Sequence, residues 1–187
     1  MKSLFQPVAL AHASRLLNFG PTVLITSRHG DVHNVMAAAW SMPVEFTPPR
    51  VAVVIDKNTY TKQLIAQSGY FGICIPGAVI ADLVMELGSC SGRDGDKFSR
   101  FQLPFYASAT GAVPLIDQGC SAWLECRLIP EPHTEQQYDT CFAEVIAAAA
   151  DPRIFANGRW QVTDENRDLH SIHHLGAGHF LRGTPLV

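Results

Sequence analysis

Short runs of β-branched and apolar residues, separated by turn residues, dominate the first half of the chain. Residues 21–27 form one such run, and the Arg28-His29-Gly30-Asp31 sequence behind it has turn chemistry. We therefore expect a hairpin into residues 32–40. The Pro48-Pro49 pair favours an extended backbone, so residues 51–55 are predicted to be a buried strand.

Two segments have the pattern of short helices. In residues 61–68 the apolar Leu64 and Ile65 stand among polar residues, and Gly69 supplies a left-handed stop. Residues 78–87 predict a second helix that ends at Gly88, and the polar residues 89–97 predict a loop. Residues 70–76 and 120–129 are predicted strands.

Residues 140–150 support two different predictions. Their alanine content favours a helix by intrinsic propensity, whereas Phe142, Val145 and Ile146 could equally fill a strand inside a barrel. Propensity alone favours the helix. Several short β runs with two interspersed helices predict a mainly β fold, a β-barrel with helical additions.

Composition narrows the class of protein. At 187 residues with 47% hydrophobic residues, the chain is predicted to be a single domain over residues 1–187. A formal charge of -3 and scattered basic residues argue against nucleic-acid binding. No apolar run approaches the roughly 18 residues of a membrane span. The five cysteines lack a C-x-x-C pair, which predicts reduced thiols and a cytoplasmic protein.

The most informative feature is a run of three alanines, Ala37 to Ala39, followed at a distance by the turn Asn58-Thr59-Tyr60-Thr61. Small side chains let a flat ring approach the main chain. A turn with hydroxyls at the start of a helix favours a phosphate. This pair of features predicts a site for flavin mononucleotide (FMN). The alternatives are a tightly packed strand crossing for the alanines and helix capping for the threonines.

With these residues in place, the chain resembles the flavin reductase-like, FMN-binding split-barrel family, and within it the flavoredoxin group. The motifs that carry the resemblance are Asn34-x-Met36-x-Ala38-x-Trp40, Pro48-Pro49, Thr59-x-Thr61, Tyr70-Phe71 and Ser91-Gly92-Arg93-Asp94-x-Asp96-Lys97-Phe98. The resemblance implies a dimeric six-stranded barrel with FMN near the subunit interface. It also implies that residues 142–150 form a barrel strand, against the propensity argument.

The resemblance also assigns cofactor-binding residues. Those expected to line the flavin ring through main-chain contacts are Met36, Ala37, Ala38, Ala39, Trp40 and Ser41. Those expected to take the phosphate are Asn58, Thr59, Tyr60 and Thr61, and those expected to close over the site are Ser91, Arg93 and Lys97. Many relatives place Thr and Ser where this chain has Ala37 and Ala39. The alternative for Arg93 and Lys97 is a solvated pair with Asp94 and Asp96.

Outside these motifs, four histidines cluster near the C-terminus: His170, His173, His174 and His179. No thiolate or carboxylate stands at a diagnostic spacing, so no metal site is predicted. Residues 174–176 are instead expected in a loop near the flavin pocket, by the resemblance. Trp40 and Trp123 are expected to be core or interface aromatics.

The functional hypothesis is an FMN-dependent oxidoreductase that takes hydride from NAD(P)H and passes electrons to a flavin, ferric or protein acceptor. The cofactor would carry the chemistry, so no catalytic acid or base is predicted. A non-enzymatic FMN electron carrier and a cofactor-free binding barrel are the alternatives. The resemblance implies a homodimer, and neither a nucleic acid nor a membrane is expected as a partner.

Overall fold

The computed structural model describes residues 4–184, and strands make up most of its regular structure. The strands are β1 Gln6–Pro7, β2 Val23–His29, β3 Val32–Ala38, β4 Ser41–Phe46, β5 Pro49–Val54, β6 Tyr70–Pro76, β7 Phe105–Ala107, β8 Pro114–Ile116, β9 Cys120–Ile129, β10 Thr140–Ala150, β11 Phe155–Ala156, β12 Arg159–Trp160, β13 Ile172–Gly176 and β14 His179–Arg182. The α-helices are α1 Tyr60–Ser68, α2 Ala81–Ser89, α3 Lys97–Arg100 and α4 Pro132–Gln137. The 3₁₀ segments are Leu10–Leu16, Ala78–Ile80, Gly92–Asp94 and Asp164–Leu169. The mainly β prediction with helical additions is confirmed.

One antiparallel sheet forms the frame, with strand order β3-β2-β6-β9-β10-β5-β4 and β1 paired to β10. It has eight strands where the resemblance implies six. Three small two-stranded sheets, β7–β8, β11–β12 and β13–β14, lie outside it. The hairpin β9–β10 stands between β6 and β5 and therefore joins the early strands into one sheet.

The local predictions around the first hairpin and α1 are confirmed. Strands β2 and β3 pair from Val23 with Ala38 to His29 with Val32. Helix α1 ends at Gly69, whose φ of 75° is the left-handed conformation that glycine adopts without strain.

The helix prediction for residues 140–150 is wrong, and the strand implied by the resemblance is confirmed. Strand β10 pairs with β9 on one side and β5 on the other. Its side chains at Cys141, Ala143 and Val145 are buried in the core. Hydrogen bonding to two neighbours and burial outweigh the helix propensity of alanine here.

The second predicted helix is displaced toward the C-terminus. A 3₁₀ turn occupies Ala78–Ile80, and α2 continues to Ser89, so Gly88 lies inside the helix and does not end it. The predicted loop over residues 89–97 contains a 3₁₀ turn, Gly92–Asp94. Lys97 belongs to α3, which Asp96 caps by accepting hydrogen bonds from the Phe98 and Ser99 N–H groups.

Strand β4, which the sequence did not predict, forms an edge of the main sheet. Met42, Val44 and Phe46 are all exposed along it, and its pairing with β5 is irregular between Pro43 and Glu45. Phe46 is 68% exposed, Met42 58% exposed, and the preceding Trp40 is 73% exposed. We name this set of four side chains the β4 stripe.

The interior contains two apolar clusters, one on each side of the sheet. Trp123 lies in the second, as expected of a core aromatic. All five cysteines are free thiols, and all but Cys90 are buried. Between residues 4 and 184, the helices lack the combined length and apolar character needed to cross a membrane.

Candidate functional site

A cleft runs between β3 and α2 and has two connected ends. The ring end, of about 230 Å³, is lined by the three alanines together with Thr22, Val84, Met85, His174 and Phe180. The phosphate end, of about 250 Å³, is lined by Asn34, Met36, the start of α1 and the residues from Leu87 to Arg93. Ala37, Gly88 and Ser89 line both ends, so the two ends adjoin. We call the whole the flavin cleft.

Small residues on both sides let α2 approach β3 closely beside the ring end. A Cβ added at Gly88 would lie 3.2 Å from the Cβ of Ala37, which is tighter than ordinary contact. Because side chains alternate along a strand, Ala37 packs against the cluster that contains Val84 and Leu87 of α2, whereas Met36 and Ala38 pack against the other cluster. A larger residue at position 88 would therefore press against Ala37 and disturb this wall of the cleft.

The phosphate end is built on the first turn of α1. The Thr59 hydroxyl caps the helix: it accepts from the Lys62 N–H at 3.2 Å and donates to the Asp56 carbonyl at 2.7 Å. The capping alternative for Thr59 is therefore confirmed. Thr61 is 1% exposed, and its hydroxyl oxygen accepts from the Asn34 amide at 2.9 Å. The Thr61 proton remains available to a ligand oxygen, beside N–H groups that a helix start leaves without intrahelical acceptors.

Arg93 ties the 3₁₀ turn Gly92–Asp94 to the start of α1. Its guanidinium donates to the Asn58 carbonyl at 3.0 Å and lies 5.4 Å from the centroid of the Tyr60 ring. The Ser91 hydroxyl accepts from the Arg93 N–H at 3.1 Å and so orders the same turn. A cation is thereby held at the rim of the phosphate end.

Lys97 is the second cation and is almost entirely buried, at 2% exposure. Its ammonium donates to the carbonyls of Val35 at 2.8 Å and Leu87 at 2.7 Å. Within residues 4–184 it forms no ion pair with a carboxylate. Burial lowers its pKa, an effect that the Cys90 thiol opposes and Arg100 reinforces. The solvated-pair alternative is therefore wrong for Lys97, because two carbonyls hold the ammonium inside the protein.

Asn34 joins the strand to both sides of the phosphate end. Its Nδ2 donates to Thr61, while its Oδ1 is buried and has no hydrogen-bond partner among the described residues. A Cβ at Gly92 would overlap this amide, so only glycine lets the Ser91–Arg93 loop approach so closely. An unpaired buried amide oxygen in a cleft wall marks a place for a ligand donor.

Ten of the thirteen predicted cofactor residues line this cleft. They are Met36, Ala37, Ala38, Ala39, Thr59, Tyr60, Thr61, Ser91, Arg93 and Lys97. The structure does not place Trp40, Ser41 or Asn58 in its walls, although Asn58 accepts from Arg93. Trp40 instead extends the exposed β4 stripe.

The sequence reasoning missed other lining residues, among them Asn34, Gly88 and Phe180. Asn34 begins one of the recognised motifs, which was an available signal for its importance. Phe180 carries no local signal, because pairing of β13 with β14 places it opposite His174. His174 lines the ring end as expected, but residues 174–176 belong to strand β13 and not to the predicted loop, because they pair with β14. Within residues 4–184, no three metal-ligating side chains converge.

Comparison with known proteins supplies the family. The model of the flavin reductase-like domain matches residues 17–170. YddH of Escherichia coli, an uncharacterized protein, is 52% identical over 181 residues, covering 96% of this chain and 95% of its own.

Two solved structures have the same fold. An FMN-binding domain of a flavin reductase-like enzyme from Shewanella baltica has a TM-score of 0.93 at 39% identity, covering 100% of this chain and 98% of its own. Flavoredoxin of Desulfovibrio vulgaris has a TM-score of 0.76 at 22% identity, covering 90% and 88%, and shows the fold alone. The expected family and its FMN-binding fold are therefore confirmed, and this chain belongs to the flavin reductase-like family.

Proposed function

We propose that this chain binds FMN in the flavin cleft and acts as an NAD(P)H-dependent oxidoreductase. The observation that carries the proposal is a small-residue apolar end that adjoins a cationic end. FMN has the matching division, a flat tricyclic ring and a phosphate dianion. The FMN-binding relative from Shewanella baltica, which covers the whole chain, supports this assignment.

The described residues fit each part of the cofactor. Thr61, Arg93, Lys97 and the first N–H groups of α1 would hold the phosphate, because each offers a donor or a positive charge. The main chain beside Ala37 and Ala39 would receive the ring. The unpaired Asn34 oxygen would accept from a ribityl hydroxyl.

Bound FMN would supply the redox chemistry, taking hydride from NAD(P)H and passing electrons to an acceptor. The protein would then orient the two rings and keep water from the reacting face. Val84, Met85 and Phe180 give the ring end an apolar wall suited to that task. No residue is required to act as an acid or a base.

We infer that a second copy of the chain covers the β4 stripe. Four large apolar side chains on and directly before an edge strand are rarely left in water by a monomer, and an edge strand also offers unpaired backbone groups. A symmetric dimer would bury the same stripe from both copies. The stripe begins at Trp40, directly after the alanines of the ring end, which would bring the interface close to the cofactor.

The absorption spectrum of the purified protein tests the cofactor, and anaerobic titration tests the reaction. We expect a yellow protein whose visible flavin band bleaches rapidly on addition of NADH or NADPH. A yellow protein that dithionite bleaches and both nicotinamides leave unchanged would identify an electron carrier and contradict the oxidoreductase. A colourless protein that does not take up FMN would contradict the whole proposal.

Replacement of Thr61 by valine should weaken FMN binding about tenfold, since one hydroxyl donor to the phosphate is lost. The matched change Thr59→Val removes the helix cap and should lower the free energy of unfolding by about 1 kcal/mol. Its effect on FMN should be smaller, because the Thr59 proton already serves Asp56. Fluorescence titration with FMN measures the effect on cofactor binding, and urea unfolding measures the effect on stability. Equal FMN affinity in Thr61→Val and wild type would place the phosphate elsewhere.

A further inference from the structure

A second cleft, of about 260 Å³, shares no lining residue with the flavin cleft. It lies between the β11–β12 hairpin, the 3₁₀ segment Asp164–Leu169 and the start of β13. Phe19 and Trp160 form an aromatic wall, with their ring centroids 5.1 Å apart and the rings nearly perpendicular. Ile154 and Val162 complete the apolar lining. The volume exceeds the roughly 150 Å³ of a protein cavity that holds benzene.

The His170 ring is the buried polar group in this lining, at 2% exposure. Its Nε2 lies 2.8 Å from the Thr163 carbonyl and 3.1 Å from the Asn166 Oδ1. The Asn166 amide is oriented by its Nδ2, which donates to the carbonyls of Arg153 and Gln161. Both neighbours of Nε2 are therefore acceptors, so Nε2 carries the proton. In the neutral ring Nδ1 then has a free lone pair, and it has no partner among residues 4–184.

The neighbouring Ser171 is also left as an acceptor. His173 Nδ1 lies 3.0 Å from the Gly20 carbonyl and must donate to it. Nε2 of the neutral His173 ring, 3.2 Å from the Ser171 oxygen, then accepts the hydroxyl proton. The serine oxygen keeps lone pairs and has no proton to give. His170 and Ser171, which both line the cleft, thus keep unused acceptor lone pairs.

We propose that this cleft is a binding site for a small uncharged aromatic molecule that carries an O–H or N–H donor, a phenol being the simplest. The ring would pack against Phe19 and Trp160, and the donor would satisfy His170 Nδ1. A carboxylate or other pure acceptor would face the lone pairs of His170 and Ser171, so it should bind more weakly than a donor, although the Thr184 hydroxyl also lines the cleft. The cleft is separate from the flavin, so occupancy would leave the cofactor undisturbed.

The test titrates the FMN-loaded full-length protein with phenol and with anisole, which has a ring of the same shape but no donor. Long-range ¹H–¹⁵N spectra of the histidines report the His170 tautomer and the state of Nδ1. We expect Nε2–H in the free protein, a shift of the Nδ1 resonance on addition of phenol, and roughly tenfold weaker binding of anisole. The visible flavin spectrum should stay constant, because stacking of phenol on the flavin would alter it.

A filled cleft gives a second test that leaves the polar network intact. Val162→Phe should abolish the phenol-dependent shift and keep FMN bound, whereas Val79→Phe, at an exposed position outside the cleft, should change neither. Equal affinity for phenol and anisole, an unchanged Nδ1 resonance, or a response confined to the flavin spectrum would each overturn the proposal. Loss of FMN binding by wild-type protein would contradict the proposed function alone, since the second cleft contains no flavin-cleft residue.

Discussion

Lys97→Met should weaken FMN binding by about 10- to 100-fold, the largest loss expected from a single side chain. Hydrogen bonds to charged groups contribute about 1.5–3 kcal/mol, and this buried ammonium has no carboxylate to share its charge within residues 4–184. The measurement is the dissociation constant from flavin fluorescence. Arg100→Met is the matched control, because it removes an exposed cation from the same helix, outside the cleft lining.

The same lysine should make FMN binding depend on pH. Burial lowers the pKa of Lys97, so between that pKa and 10.5 the unfolded chain holds a proton that the folded protein lacks. The stability of the FMN-free protein should therefore rise with pH across this interval. FMN affinity should fall across it, because the neutral amine no longer attracts the phosphate. Lys97→Met should flatten this part of the affinity profile, and a profile identical to wild type would contradict a role for Lys97 in phosphate binding.

Phe46→Glu combined with Met42→Glu should convert the inferred dimer into monomers. Each apolar side chain contributes about 1.5–3 kcal/mol when buried, and two-fold symmetry places every substitution in the interface twice. The dissociation constant of the dimer should rise at least about 100-fold. Light scattering coupled to gel filtration measures the change.

The control for this experiment is Val32→Glu, at an exposed apolar position beside the β2–β3 turn. It introduces one glutamate on β3, at the other end of the strand order from β4, and should leave the mass unchanged. A wild-type protein that is monomeric at micromolar concentration would contradict the inferred dimer. A double variant that keeps the mass of a dimer would indicate that the interface lies on another surface.

Much of the fold could be predicted because the signals are local. The turn chemistry of residues 28–31 and the left-handed stop at Gly69 specify their elements within a few positions of the chain. Strand β10 was ambiguous because its conformation is set by β9 and β5, which local propensity does not include. Strand β4 was missed since Pro43 interrupts its pattern and its apolar side chains face outward.

The candidate site shows the same division. The alanines and the threonine turn could be predicted as parts of the site, because small residues and a helix cap are recognisable from single positions in the sequence. The burial of Lys97 could not be predicted from the sequence. It depends on the packing of α3, which brings the ammonium to the Val35 carbonyl of β3 and the Leu87 carbonyl of α2. A lysine beside two aspartates in sequence gives no sign that three elements will enclose it.

The position of the β9–β10 hairpin between β6 and β5 has a consequence for synthesis of the chain. By residue 76 a ribosome has made two separate sets of strands, β3-β2-β6 and β5-β4, and nothing yet bridges them. Until residue 150 emerges, β6 and β5 each expose an open edge that could pair with another nascent chain. Closure is therefore a late event, and the nascent first half is the stage at which a chaperone would matter most.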